Sequence, residues 1–140
     1  MDESLSADAV ADPGDLVRRY LAAIESGASG EALARFFTPD VVQEEFPNRL
    51  FPDGATRDLA GILAGAERGR QVLRRQHYEI RSILSSPPAV AVEVVWAATV
   101  AIPIGTLEPG DELRARFCMV LELESGRIRR QRNYDCFDPF

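Results

Sequence analysis

One histidine and two cysteines are all the imidazole and thiol that the 140 residues provide. No CxxC pair is present, so a zinc cluster of readable spacing is excluded. Cys118 and Cys136 are offset on two neighbouring predicted strands rather than opposite each other. A disulfide between them is therefore not expected, and two free thiols suit a reducing cytoplasm. Basic charge is also short: 16 Lys and Arg against 22 Asp and Glu leave a net −6. That balance disfavours nucleic acid and anionic membrane as partners. No apolar run approaches the roughly 20 residues of a membrane span. The acidic start, Met1 to Asp12, lacks the basic-then-apolar order of a secretory signal and reads as a frayed tail. A Gly-rich phosphate loop, a nucleophile elbow, repeats and low-complexity segments are all missing. What is left is one domain, residues 13–140, expected to use neither metal nor cofactor.

Hydrophobic content of 46% is enough for a core. The spacing predicts a first helix over Pro13–Ser26, with Asp12 as cap and Pro13 at the first helical position. Leu16, Val17, Tyr20, Leu21 and Ile24 form its stripe, and Gly27 ends it. Tyr20 needs a partner for its hydroxyl if it is buried; otherwise its tip reaches the surface. A short second helix runs from Glu31 to Phe37 and stops at Thr38-Pro39-Asp40. Val41–Phe46 reads as a strand containing Glu44 and Glu45. Adjacent strand residues point oppositely, so at most one of the pair faces inward. An inward carboxylate in an apolar wall would have a raised pKa and could act as a base; the alternative is two exposed glutamates. Pro47–Thr56 is a loop. A third helix spans Arg57 to about Arg75, weakened or broken by Gly61, Gly65 and Gly69. Arg68, Arg70, Arg74 and Arg75 read as a solvated face, with a phosphate site as the lesser alternative.

Strands follow. In Gln76–Leu84, Tyr78, Ile80 and Leu84 share one face, and His77, Glu79 and Arg81 the other, so His77 points away from any pocket. In Ala89–Ile102, the even positions Val90 to Ile102, with Trp96 among them, make one face. The other face, with Val95, Ala97 and Ala101, is apolar enough to meet a second copy, joined by Cys118 and Val120. Glu112–Glu124 puts Leu113, Ala115, Phe117, Met119, Leu121 and Leu123 on one face. Arg127–Phe137 returns after a turn at Ser125-Gly126. A two-residue turn pairs Phe117 with Tyr134 and puts Arg130 and Arg132 on the apolar face. A three-residue turn pairs Leu123 with Arg127, Phe117 with Asn133 and Met119 with Gln131. Unpartnered arginines in an apolar concavity are costly, so the second register is preferred, although it turns Ile128 outward unless a bulge intervenes.

Helices first and long strands after imply an α+β fold: a curved antiparallel sheet wrapped around three N-terminal helices, a closed-ended cone. Leu16-Val-Arg-Arg-Tyr-Leu-Ala-Ala-Ile24, Phe36-Phe-Thr-Pro-Asp-Val41 and Gly126-Arg-Ile128 resemble the nuclear-transport-factor-two-like superfamily. Arg132-Asn-Tyr-Asp-Cys-Phe-Asp-Pro139 resembles its SnoaL-like branch. Ketosteroid isomerases, polyketide cyclases, scytalone dehydratase, limonene-epoxide hydrolase and non-catalytic binding modules share that fold. The resemblance implies an oxyanion-holding tyrosine at Tyr20 and a general base at Glu45. The isomerases' second oxyanion acid falls near Met119, which has no proton to donate. The last strand contributes Gln131, Asn133 and Asp135. Two functions are thus expected. One is cofactor-free acid–base chemistry on a small apolar molecule bearing a carbonyl or epoxide. There Tyr20, Glu45, Asn133 and Asp135 would be catalytic, and Phe46, Tyr78, Trp96, Phe117, Met119 and Gln131 would contact substrate. The other is a ligand-binding or dimerisation module whose pocket polar groups satisfy one another.

Overall fold

The computed structural model describes residues 12–140; apart from Asp12, the predicted tail lies outside them. Helix α1 is Pro13–Glu25, capped as expected by the Asp12 carboxylate, which accepts the Gly14 N–H at 3.1 Å. Its stripe is buried at Leu16, Val17, Tyr20 and Leu21. Helix α2, Glu31–Ala34, is a single turn, shorter than predicted. It is cut short because Phe37 already pairs with Ile128 as the first residue of strand β1, Phe37–Glu45. Thr38-Pro39-Asp40 is therefore an irregularity inside β1, not a helix stop. Pro39 brings no N–H to that ladder.

Strand β2, Ala55–Arg57, occupies residues expected to be loop and helix start. It pairs with the end of β1, Gln43 opposite Arg57. The turn that returns the chain to β2 needs glycine at Gly54. Its φ is +70°, and a Cβ there would stand 2.7 Å from the Glu45 carbonyl oxygen. Helix α3, Leu59–Val72, runs unbroken through its three glycines. Ile62 is buried against the sheet, with Leu59, Leu63 and Ala66 packed beside it, so tertiary packing overrides the weak propensity.

Strands β3 (Leu73–Ser86), β4 (Ala89–Val100), β5 (Glu112–Glu124) and β6 (Arg127–Phe137) complete a six-stranded sheet in the order β2-β1-β6-β5-β4-β3. The α+β expectation holds, with one refinement: β1 and β6 run parallel, so the sheet is mixed. Faces on β4 and β5 alternate as the sequence predicts, Val90 to Val100 and Leu113 to Leu121 facing the core. Ile102 lies beyond β4 and is 44% exposed. On β3 the register shifts between Ile80 and Ser82, leaving Arg81 unpaired. Ile83 thereby turns inward and Leu84, expected there, is 68% exposed.

The β5–β6 hairpin follows neither predicted register. Glu124 pairs with Arg127 across a two-residue turn in which Ser125 and Gly126 have φ of +53° and +75°. Leu123 then pairs with Ile128 but Glu122 with Arg130, so Arg129 is a bulge. Beyond it Met119 faces Asn133 and Phe117 faces Asp135, two positions further along β6 than expected. The extra residue reconciles what no regular strand could: Ile128 and Gln131, three apart, are both fully buried. Arg130 and Arg132 point outward, to Glu44 and Glu122. Cys118 lies opposite Tyr134, Cys136 opposite Arg116, and both thiols are free. No described helix is long and apolar enough to cross a membrane.

Candidate functional site

Between the concave face of the sheet and helices α1 and α3 lies a cavity of about 480 Å³, within the range of small-molecule sites. Its apolar wall is aromatic. Trp96 packs on Phe117 at 5.1 Å between ring centroids and on Phe137 at 6.0 Å, and Tyr78 lies 6.4 Å from Phe117. The Trp96 indole N–H donates to Gln76 Oε1 at 3.0 Å, so burial leaves no orphan donor. Met119 adds a thioether.

Polar groups gather where the parallel pair β1–β6 meets β2. On β1 the inward residues are Val41, Gln43 and Glu45. Glu44 faces outward to Arg130 at 3.3 Å, so one glutamate of the pair faces in. Glu45 is directly beside Asn133 in the ladder. Both its oxygens are occupied: Arg57 Nη1 lies 3.0 Å from Oε1, and Asn48 Nδ2 donates to Oε2 at 2.9 Å. The sequence reading supposed an unpartnered inward carboxylate at Glu45; Arg57 and Asn48 partner it. Asn48 also pins the loop, accepting from the backbone N–H groups of Leu50 and Phe51.

Asp135 is the contrasting carboxylate. It lines the same cavity, and no ion pair or hydrogen bond joins its side chain to another described residue. Burial, and then the negative charge of Glu45, push its pKa from 3.8 up to about 7, with Arg57 opposing. Tyr20 is 3% exposed, and its hydroxyl donates to Gln131 Oε1 at 3.0 Å. Burial pushes that phenol up to about 12 despite the bond to Gln131, so it stays protonated and donates. Burial likewise raises Tyr78. The Gln131 amide donates to Asn133 Oδ1 at 2.9 Å and lies 3.8 Å from Met119 Sδ. The donors thus run one way, Tyr20 to Gln131 to Asn133, and no described residue accepts from Asn133 Nδ2.

Of the ten residues singled out in the sequence, nine line this cavity; Phe46 does not. Phe46 sits on the opposite face, stacked on Tyr134 at 4.7 Å. The alternation that sends Glu45 inward sends its neighbour outward. His77 also lies off the site, exposed, with Nδ1 3.0 Å from Glu25 Oε2. Sequence reasoning missed Arg57, Asn48 and Gln43. Nothing local flagged Arg57, since its partner is across a three-residue strand that composition does not announce.

Arg57→Met is expected to cost about 2–3 kcal/mol, because it leaves Glu45 with half its partners in a site that solvent barely reaches. The double variant Arg57→Met/Glu45→Gln should recover most of that loss in a denaturant titration. An additive loss would show that the pair is not coupled.

A family model described as a SnoaL-like domain matches residues 17–131. Two proposed polyketide cyclases have similar structures. One is IdmH from Streptomyces antibioticus: 22% identity over 89% of this chain and 91% of that one, TM-score 0.74. The other is from Xanthomonas campestris pv. campestris: 19% identity over 86% and 87%, TM-score 0.71. A protein of ketosteroid isomerase-like fold from Catenulispora acidiphila, solved with trimethylamine, is 17% identical over 86% and 84%, TM-score 0.67. No curated protein matches the sequence.

Proposed function

Since the chain belongs to the SnoaL-like domain family, we propose that it is a cofactor-free acid–base enzyme of the isomerase or cyclase type, acting on a small apolar carbonyl compound. The observation that bears most on this is Asp135, an unpartnered carboxylate in an apolar cavity with a pKa of about 7. A group poised there is a competent base and a competent acid at neutral pH. The matched region stops at residue 131, short of Asn133 and Asp135, so their roles rest on geometry rather than on membership.

In this reading Asp135, and not Glu45, takes a proton from the carbon next to the carbonyl. Asn133 Nδ2 donates to the enolate oxygen as charge develops there, its direction set by the Tyr20–Gln131 relay. The Asp135 acid then returns the proton, either to the γ-carbon when the substrate is a β,γ-unsaturated ketone that forms a dienolate, or to the alkoxide formed when the enolate carbon adds to a second carbonyl of the same molecule. The first outcome is isomerisation and the second cyclisation; neither needs an added reactant. Trp96, Phe117 and Met119 hold the apolar body. Glu45, fixed by Arg57 and Asn48, keeps a negative charge near Asp135 and so helps hold its pKa up. The test is deuterium incorporation from D2O into the α-carbon of an aryl ketone such as tetralone. Wild type should accelerate it and Asp135→Asn should not.

The mutual hydrogen bonds of Tyr20, Gln131 and Asn133 and the Glu45–Arg57 pair also favour a second reading, a binding module with no turnover. Binding of an apolar ligand with no proton exchange in any ketone tried would select it. In either case we place the protein in the cytoplasm as a homodimer. The outer face of β4 and β5 supplies Val95, Ala97, Cys118 and Val120, all half-buried in the single chain, with Ala101 just beyond. Light scattering at micromolar concentration should give twice the chain mass of 15.4 kDa; the chain mass itself would rule the dimer out.

A further inference from the structure

The molecule is acidic, yet the cavity is not lined that way. Its cations are Arg57, Arg68 and Arg70, against Glu45 and an Asp135 that is only part ionised near neutral pH. Arg57 is committed to Glu45. Arg70 is partly engaged, 3.2 Å from Ser29 Oγ and 3.3 Å from Glu67 Oε2. Arg68 makes no ion pair or hydrogen bond with any described residue, although it is exposed at the cavity rim. The remaining arginines of the stretch expected to form a solvated face turn elsewhere, Arg75 to Thr99 Oγ1 at 3.4 Å and Arg74 towards Gly110.

The Arg68 guanidinium lies over α3 at Gly65. Arg68 Nη2 and Arg57 Nε lie 3.7 and 3.9 Å from the point where a Gly65 Cβ would stand. Two guanidinium groups thus lie near one bare stretch of α3 backbone, Arg57 paired with Glu45 and Arg68 without an ion pair among the described residues. Gly69, and Gly27 in the turn after α1, also line the cavity. All 16 basic residues of the chain are arginine. A planar guanidinium engages a carboxylate, sulfonate or phosphate through two parallel N–H donors.

We propose that the ligand of this cavity is amphiphilic: an apolar ring body against Trp96 and Phe117, with an anionic group held at the rim by Arg68 and assisted by Arg70. This rests on the cavity being the ligand site but not on the chemistry performed there. The Tyr20–Gln131–Asn133 relay and Asp135 handle the buried end, and the rim selects for charge at the other. A neutral ligand of the same shape binds more weakly, and the difference shrinks with salt, because the rim is solvent-exposed and screened.

Two fluorescent probes with one skeleton test this, anilinonaphthalene sulfonate and neutral phenylnaphthylamine, at pH 6 where Asp135 is mostly protonated. The sulfonate should bind tighter at low salt. Arg68→Gln should weaken it roughly three- to tenfold, the span between an exposed ion pair and a charge-assisted hydrogen bond, and flatten its salt dependence. The neutral probe should change less than about twofold, as expected for a surface substitution that leaves the fold intact. Ala66→Trp, which fills the cavity beside Gly65, should abolish binding of both. Equal affinities for the two probes, or an equal effect of Arg68→Gln on both, overturns the rim assignment while leaving the cavity as the ligand site. Binding of neither probe, or sulfonate binding that survives Ala66→Trp, overturns the cavity as the ligand site and the rim with it.

Discussion

Asp135→Asn should make the protein more stable at pH 8 and leave it nearly unchanged at pH 4, while removing its turnover. The Asp135 pKa is raised from 3.8 to about 7 in the folded chain. A folded carboxylate with a raised pKa binds its proton more tightly than the unfolded one does. Folding is therefore penalised as pH rises above about 4, and the penalty grows until pH passes 7 and then levels off. The difference between the two pKa values corresponds to a ceiling of about 4 kcal/mol, and residual solvent contact brings the expected gain at pH 8 to about 2–4 kcal/mol. Asparagine keeps the shape and cannot ionise. Denaturant midpoints of both proteins at the two pH values measure the gain; a pH-independent difference would mean that Asp135 titrates normally. The same substitution should lower α-proton exchange by about 10²–10⁴-fold, the usual contribution of a positioned acid–base group. Stability up and activity down from one substitution is the signature of a group held in an unfavourable state for its chemistry.

Trp96→Ala carries the largest stability loss, roughly 3–5 kcal/mol. Trp96 is 4% exposed and packs in one buried cluster with Ala98, Val100, Leu113 and Ala115, touching Phe117 and Phe137. Removing it merges a void with an existing cavity, so little of the lost contact can be regained by collapse. It also orphans Gln76 Oε1. Trp96→Phe keeps most of the ring contact and should cost clearly less. If the alanine variant lost under about 1 kcal/mol, the β4 face assignment would be reversed.

The parts of the fold that were legible are those where one face is buried along many residues. Val90 to Val100 and Leu113 to Leu121 alternate without interruption, so period 2 alone fixes their faces. Helix α1 was legible from its cap and Pro13. The inward set Gln131, Asn133 and Asp135 was also legible, because placing Arg130 and Arg132 inside would have been costly. The pairing of that set was not, because a bulge is one residue with no composition of its own. The same holds for Arg81 on β3, which sent Leu84 out. The parallel partnership of β1 with β6 joins distant stretches of chain and leaves no local trace. That is also why Arg57 was hidden: its role depends on β2, and β2 depends on β1 being where it is. Alternation left open which of Glu44 and Glu45 faces inward; the family resemblance pointed to Glu45, and neither could say whether it was partnered. Asn48 lies in a loop that had no predicted structure at all.

The unpaired residue at Arg129 has a bearing on how relatives are compared. Without it, the residues after Ile128 would meet β5 in the same order, one place earlier in the sequence. A relative lacking the bulge therefore keeps its inward residues one step closer to the hairpin turn. An alignment anchored on the Gly126 turn would match Asn133 and Asp135 of this chain to outward-facing positions in such a relative. Site residues would then look absent where they are merely displaced. The buried Gln131, tied to Tyr20 on α1, is the sounder landmark, since it is held by the fold and not by counting from the turn.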